Sequence, residues 1–468
     1  MRDFPDWLHS RAANTPHRIA LVAEGKQWTW SELDVEADRA ARRLAGLGVR
    51  KGDYVATLLK AGFNAALLPH ATLRLGATLV PLNTRLSTSE INWQIDDIGP
   101  SIVIRDDTAL SEASEEDVDC RRVHASDSVL AVIYTSGTTG RPKGAMLTVG
   151  NFWWSAVGSA LNLGIIPRDR WLACLPLFHV GGLSILVRSA IYGITAVVHD
   201  GFDAAKVNAE IDKGDVSIVS VVALMLERML DSRPDKPYPP DLRCILLGGG
   251  PAPRILLERC ASLQIPVVQT YGLTETCSQV ATISPDDAIR KLGSAGKPLY
   301  PNELRISDAG EILVRGPVIM AGYAGLPAET EAALADGWLH TGDAGSIDDD
   351  GFLYILDRRD DLILTGGENV YPAEVEAALS SHPSVAEAGV IGANDSSWGQ
   401  RVVAIVRLKD SAHQDEMSLT AHCAERLGSF KIPREFHFTA TALPRTAAGK
   451  LRRSALREMF GGSSAGSG

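Results

Sequence analysis

Along this chain a short apolar run is followed by a glycine-bearing turn and then by apolar residues at helical spacing, and this recurring order constrains the fold more than any other feature. Residues 129–134 (VLAVIY), 244–247 (CILL) and 266–270 (PVVQT) are such runs. Helical patterns lie between them, among them 30–47, where Ser31 stands in capping position and Leu33, Ala37, Ala40, Ala41 and Leu44 share a face. Strands separated by helices pair in parallel, because a crossover of helical length returns the chain to the edge it left. The expectation is an α/β fold, with a large N-terminal domain of layered α/β subdomains over residues 1–357.

After residue 357 the pattern changes. A charged stretch, Arg358 to Asp361, precedes a glycine turn, a helix from about Pro372 and strands near 385–391 and 402–407. This reads as a small α+β C-terminal domain over 358–460, followed by a flexible Gly/Ser tail over 461–468. A length of 468 residues suits two or three domains at about 150 residues each.

Charge narrows the partners. Lys and Arg number 46 against 57 Asp and Glu, a net −11, so no bulk positive field awaits a nucleic acid or an anionic membrane. Six cysteines (Cys120, Cys174, Cys244, Cys260, Cys277, Cys423) form no C-x-x-C pair, which argues against a zinc or thioredoxin-type site and for a reducing compartment. The N-terminus lacks a basic region ahead of an apolar run, and the most apolar stretch, 216–226, is too short to span a bilayer. A cytoplasmic protein with no nucleic-acid partner and no stable membrane insertion follows; assembly as a homo-oligomer is left open.

Residues 134–144 (YTSGTTGRPKG) follow an apolar strand and gather four aliphatic hydroxyls, three glycines and two cations. Glycines let backbone N–H groups turn toward an anion, hydroxyls add donors, and Lys143 brings a compact charge to phosphoryl oxygens. Thr135, Ser136, Gly137, Thr138, Thr139, Gly140 and Lys143 are therefore candidate nucleotide-phosphate ligands. The loop is not a GxxxxGK P-loop, since Pro142 stands where the second glycine belongs. Likewise the run 248–253 (GGGPAP) misses a dinucleotide GxGxxG because Pro253 fills its last position, which disfavours a nicotinamide oxidoreductase.

The 134–144 loop resembles the phosphate-binding signature of the adenylate-forming superfamily, which includes acyl-CoA synthetases, luciferases and peptide-synthetase adenylation domains. Four further segments resemble it in the same order. Tyr271-Gly272-Leu273-Thr274-Glu275-Thr276 is similar to the family's YGxTE motif. The resemblance implies that Tyr271 stacks on adenine beside Gly272, Thr274 donates to the α-phosphate and Glu275 holds Mg²⁺, for which a carboxylate is a suitable hard ligand. Gly249, Gly250 and Pro251 resemble the adenine-side wall. Thr341-Gly342-Asp343 resembles the TGD motif, implying that Asp343 and Arg358 bind the ribose. Asp360 matches the family's hinge, Gly366 and Gly367 the loop against the CoA pantetheine, and Lys450 in 444–450 (PRTAAGK) the lysine that bridges carboxylate and α-phosphate. The implied chemistry uses ATP, Mg²⁺ and CoA, with a mobile C-terminal domain serving two half-reactions.

Residues 175–184, 246–253 and 284–298 resemble the o-succinylbenzoate–CoA ligases within that superfamily, in a match covering nearly the whole chain; the region 308–314 is shorter than in many relatives. An acid with a second carboxylate needs donors in its pocket, and His179, Arg188, Thr276, Lys291 and Ser294 are the candidates. His179 stands first, with a structural histidine bonded to backbone as the alternative. Arg188 lies in an apolar run where an unpaired guanidinium is costly, so it should meet an anion, either substrate or protein carboxylate. The rival readings are a broader acyl-CoA or aryl-CoA synthetase and an ATP-binding pseudoenzyme.

Overall fold

A computed structural model describes residues 3–135, 141–233, 236–250, 252, 254–308, 310–357, 362–409, 413–444, 451 and 453–460. The chain divides into two compact units. Met1–Thr84, Ile98–Tyr134 and Gly144–Leu356 form the first; Arg85–Asp97, Thr135–Lys143 and Asp357–Gly468 form the second.

In the first unit the apolar runs are central parallel strands. Val267–Tyr271, Cys244–Leu247, Ile218–Val221, Arg170–Ala173, Thr195–Val198 and Ile19–Ala23 lie side by side in that spatial order, all parallel. Every residue of Ile218–Val221, Cys244–Leu247 and Thr195–Val198 is buried, as expected of strands covered on both faces. Short antiparallel strands flank them, Lys26–Thr29 at one edge and Ala281–Thr282 with Lys297–Pro298 at the other. A second sheet holds Tyr54–Thr57, Thr78–Pro81, Ile102–Ile104 and Val129–Thr135 in parallel, and continues into Lys143–Thr148 and Gly322–Tyr323. A third, antiparallel, joins Glu303–Ile306, Glu311–Arg315, Leu339–Ile347 and Leu353–Asp357.

Helix Trp30–Gly46 buries the face anticipated for it, with Leu33, Ala37, Ala40, Ala41 and Leu44 all inside. Its cap, however, is Thr29 and not Ser31. The Thr29 hydroxyl accepts from Glu32 N at 3.2 Å, and the Glu32 carboxylate accepts from Thr29 N at 2.8 Å. This reciprocal pair satisfies two otherwise orphaned N–H groups, which Ser31, already within the first turn, cannot do.

The second unit is α+β. Long antiparallel strands Val385–Asp395 and Gly399–Leu408 are joined by parallel Glu435–Thr439 and by the hairpin Ile363–Thr365/Glu368–Val370. Helices Pro372–Ser380 and Glu416–Ala424 cover a core of Val375, Leu379, Val390, Val402, Leu419 and Cys423. Each such aliphatic side chain contributes about 1.5–3 kcal/mol on burial. Within this unit the Lys431 ammonium lies between Glu374 and Glu90, at 2.7 and 2.6 Å. Among the described residues no helix is long and apolar enough to cross a membrane.

Candidate active site

The chemistry-bearing turn begins where strand Val267–Tyr271 ends. Gly272 follows, then a single 3-10 turn over Thr274–Thr276. Two consecutive non-glycine residues beyond it take positive φ, Cys277 at 49° and Ser278 at 87°. L side chains rarely adopt that region, at about 1–3 kcal/mol each, so surrounding contacts must hold the turn. A Cβ at position 272 would overlap the Ser278 carbonyl, which restricts that position to glycine. Inside the turn, Leu273 N donates to the Thr276 hydroxyl at 2.8 Å, Cys277 N to the Thr274 carbonyl at 2.9 Å and Ser278 N to the Leu273 carbonyl at 3.1 Å. Thr274 and Glu275 remain half-buried at its crest.

A tyrosine holds each of the two acidic candidates. The Tyr323 phenol donates to Glu275 Oε1 at 2.9 Å, and Met320 N donates to the Glu275 carbonyl at 2.9 Å. The Tyr271 phenol donates to Asp343 Oδ2 at 2.8 Å, both residues being buried. Asp343 lies on strand Leu339–Ile347, its N–H donating to the Thr341 hydroxyl while Gly342 N donates to Glu311. Thus Tyr271, Glu275 and Asp343, separated by up to 72 positions, are gathered in one unit. Tyr323 carries no motif and was not anticipated.

His179 precedes helix Val180–Tyr192 in an extended conformation, half-buried, its ring edge-on to Phe178 with centroids 4.7 Å apart. Arg188, on that helix, is 2% exposed. Its Nη2 donates to Ser155 Oγ at 2.8 Å and the guanidinium lies 5.8 Å from the Trp171 ring centroid. No carboxylate pairs with it among the described residues, and Nε has no hydrogen-bond partner there. Burial pulls its pKa below the usual arginine value.

Three of the substrate candidates are already engaged within the fold. Ser294 and Thr276 are both 0% exposed. The Ser294 hydroxyl donates to the Leu353 carbonyl at 2.8 Å, and that of Thr276 closes its own turn, so neither offers a ligand a free donor. The Lys291 ammonium is engaged by Asp348 at 2.7 Å and by Asp350, tying residues 284–298 to the 348–353 turn.

Thr135 closes strand Val129–Thr135 and Lys143 opens strand Lys143–Thr148. Gly249 and Gly250 form a turn after strand Cys244–Leu247. In the second unit Gly366 and Gly367 make the tip of the hairpin, both with positive φ. A Cβ on Gly366 would come within 2.7 Å of the Trp398 ring, and Gly366 N donates to the Trp398 carbonyl at 2.8 Å. Arg434 stacks on the same indole, 4.2 Å from its centroid. Neither Trp398 nor Arg434 was singled out in the sequence. Ser136, Gly137, Thr138, Thr139, Gly140, Pro251, Arg358, Asp360 and Lys450 lie outside the described residues.

Layered α/β sheets with a YGLTE turn, a TGD strand and a small second domain define an AMP-binding enzyme, and the chain belongs to that family. Residues 8–324 match the AMP-binding enzyme family and residues 374–450 its C-terminal domain. Among its relatives is the 2-succinylbenzoate–CoA ligase of Geobacillus kaustophilus, 49% identical over 98% of this chain and 99% of the relative. A double mutant of o-succinylbenzoate CoA synthetase from Bacillus subtilis, solved with its product analogue OSB-NCoA, matches at 44% identity and a TM-score of 0.93, covering 97% of this chain and 99% of that one. The same Bacillus enzyme with ATP and magnesium matches at 44% identity and a TM-score of 0.74, over 97% and 100% of the two chains.

Proposed function

We infer that this chain is an AMP-forming acid–thiol ligase that converts 2-succinylbenzoate, ATP and CoA to 2-succinylbenzoyl-CoA, AMP and pyrophosphate in menaquinone biosynthesis. The observation that carries the reading is full-length identity of 49% to a 2-succinylbenzoate–CoA ligase, joined to the Tyr271–Asp343 and Tyr323–Glu275 hydrogen bonds that frame the site.

The reaction follows from the acid's chemistry. A carboxylate does not condense with a thiol in water, because its oxygen is a poor leaving group. Attack of the carboxylate on the α-phosphorus of ATP releases pyrophosphate and leaves an acyl adenylate. The CoA thiol then attacks the acyl carbon, its proton departs, and AMP leaves. In this reading Tyr271, Gly272, Gly249, Gly250 and Pro251 surround the adenine, while Asp343 and Arg358 take the ribose hydroxyls. Thr135 to Gly140, Lys143 and Thr274 donate to phosphate oxygens. Glu275 is a half-buried carboxylate oriented by a phenol, a donor set that fits Mg²⁺. Magnesium there would neutralise polyphosphate charge.

Lys450 would sit against the charge that develops as one anion attacks another, where low dielectric strengthens its effect. A turn of the second unit about Asp360 would exchange it for the Gly366–Gly367 tip, with Trp398 and Arg434 offering a flat apolar face and a cation to CoA. His179 is the proposed donor to the unreacted carboxylate. The six cysteines, all buried free thiols, are compatible with a cytoplasmic setting.

Mass-spectrometric detection of CoA thioesters from 2-succinylbenzoate, benzoate, succinate and medium-chain fatty acids, with ATP and Mg²⁺, tests the reading. Dominance of 2-succinylbenzoyl-CoA is expected; a fatty or simple aromatic acid in first place would overturn the substrate assignment while leaving the adenylation chemistry.

A further inference from the structure

The strained turn that carries Thr274 and Glu275 has a support outside itself. Its Cys277 carbonyl accepts from the Ser155 hydroxyl at 2.7 Å, and both groups are buried. Ser155 in turn accepts from Arg188 Nη2 at 2.8 Å. Since the guanidinium can only donate, it occupies a lone pair of the serine oxygen and commits the serine proton to the carbonyl, so the two bonds polarise in one direction. The relay joins helix Val149–Leu163 and helix Val180–Tyr192 to the first of two left-handed residues beyond Glu275. An arginine this deep, with no carboxylate among the described residues, is a costly way to fill space, and its side-chain hydrogen-bond partner among those residues is the serine that grips the turn.

We propose that Arg188 and Ser155 are positioning residues for adenylation: through the Cys277 carbonyl they hold the left-handed pair Cys277–Ser278, and thereby place Thr274 and Glu275 against Mg²⁺-bound ATP. This rests on the reading that Glu275 is the magnesium carboxylate. The relay touches no reacting atom. Its larger consequence falls on the half-reaction that needs a correctly placed metal ligand, since Glu275 serves only that step while Thr274 faces the phosphate in both.

The test uses the full-length enzyme and its Ser155→Ala, Arg188→Met and Glu275→Gln variants, with 2-succinylbenzoate-dependent ATP–pyrophosphate exchange measured across Mg²⁺ concentration. Thioester formation from supplied 2-succinylbenzoyl adenylate and CoA is measured in parallel, with thermal midpoints as the fold control. Ser155→Ala should slow adenylation on the order of tenfold and raise the Mg²⁺ needed for half-maximal rate severalfold, the scale of loss for small misplacements of an active-site group. Arg188→Met should move both quantities the same way. Thioester formation should fall several-fold less than adenylation, because that step draws on Thr274 but not on the metal ligand.

An unshifted Mg²⁺ dependence in Ser155→Ala, beside a shifted one in Glu275→Gln, would overturn the relay alone. Equal loss in both half-reactions with a fallen thermal midpoint would also overturn it, since that is the mark of a merely structural serine. If Glu275→Gln itself leaves the Mg²⁺ dependence unchanged, the assignment of Glu275 falls and takes the relay with it.

Discussion

Two arginines of the first unit are almost wholly withdrawn from water, and they are accommodated in opposite ways. Arg74, 0% exposed on helix Phe63–Leu75, is enclosed by three carboxylates. Its Nε lies 2.9 Å from Asp6 and its Nη1 2.7 Å from Asp38, while Nη2 meets Asp34. Arg188, 2% exposed, has a serine hydroxyl and the margin of an indole ring. The titration of each follows. Carboxylate neighbours outweigh burial and raise the Arg74 pKa, whereas at Arg188 burial prevails and lowers it. A cation whose task is to hold a fold is neutralised by the fold. One with no carboxylate partner among the described residues, and bonded to the support of a strained turn, is kept for what it positions.

The largest test of that contrast is Arg74→Met. It would strand buried Asp6 beside the half-buried Asp34 and Asp38, and breaking a buried ion pair from one side costs about 3–5 kcal/mol. Urea unfolding should show a loss of at least that size. A loss below about 1 kcal/mol would mean the three aspartates are solvated or protonated without their arginine, and the structural role assigned to Arg74 would fail.

Acid should attack the Arg74 cluster first. His70, one helical turn before Arg74, is buried, and burial lowers its pKa from 6.5 to about 4, with Asp6 partly opposing the shift. Below pH 6.5 the unfolded chain takes up a proton that the folded chain refuses, so stability declines as pH falls from 6.5 toward 4. The slope for one such group is about 1.4 kcal/mol per pH unit within that window. Asp6 is opposed by burial but held below the ordinary carboxylate range by hydrogen bonds from His124 and Arg74, so its contribution is present above 3.8 and is lost on further acidification. Urea midpoints measured from pH 7 to 4 should fall steadily, and His70→Gln should flatten the upper part of the decline. A flat profile in the parent protein would remove His70 from the neutral buried state.

A smaller effect is expected at the nucleotide site. Tyr271→Phe removes one hydrogen bond to the buried Asp343 carboxylate and leaves the ring, so stability should fall by about 1–2 kcal/mol. The KM for ATP should rise severalfold, because Asp343 loses the group that orients it. Unchanged ATP dependence would separate Asp343 from the ribose.

The parts of this molecule legible in the sequence are those encoded by near neighbours. The apolar runs at 129–134 and 244–247 announce buried strands because burial on both faces demands uninterrupted apolar residues. Residues 271–276 announce a site because the motif is contiguous. What could not be read depends on distant or unmarked partners. Arg74 finds Asp6 across 68 positions, and Arg188 finds Ser155 across 33, with no periodicity linking either pair. Ser294 and Lys291 attract attention as donors, yet Leu353, Asp348 and Asp350 claim them only once the chain has folded. Thr29 is different, since T-x-x-E spells a capping box that was open to reading.

The smallest predicted change in stability completes the comparison and is its sharpest test. Arg188→Met replaces a buried cation by an apolar chain of similar length, and among the described residues no carboxylate is left behind uncompensated. Exchanging buried charge for well-packed hydrophobe is often neutral or stabilising. The lost bond to Ser155 still leaves that hydroxyl its donation to the Cys277 carbonyl. The net change in unfolding free energy should therefore stay within about 1 kcal/mol in either direction, several-fold less than for Arg74→Met, even though both arginines are buried to nearly the same degree. Parallel urea titrations of the two variants decide it. If Arg188→Met destabilises as strongly as Arg74→Met, burial alone governs what an arginine contributes here, and the distinction between a neutralised structural cation and an uncompensated positioning one collapses.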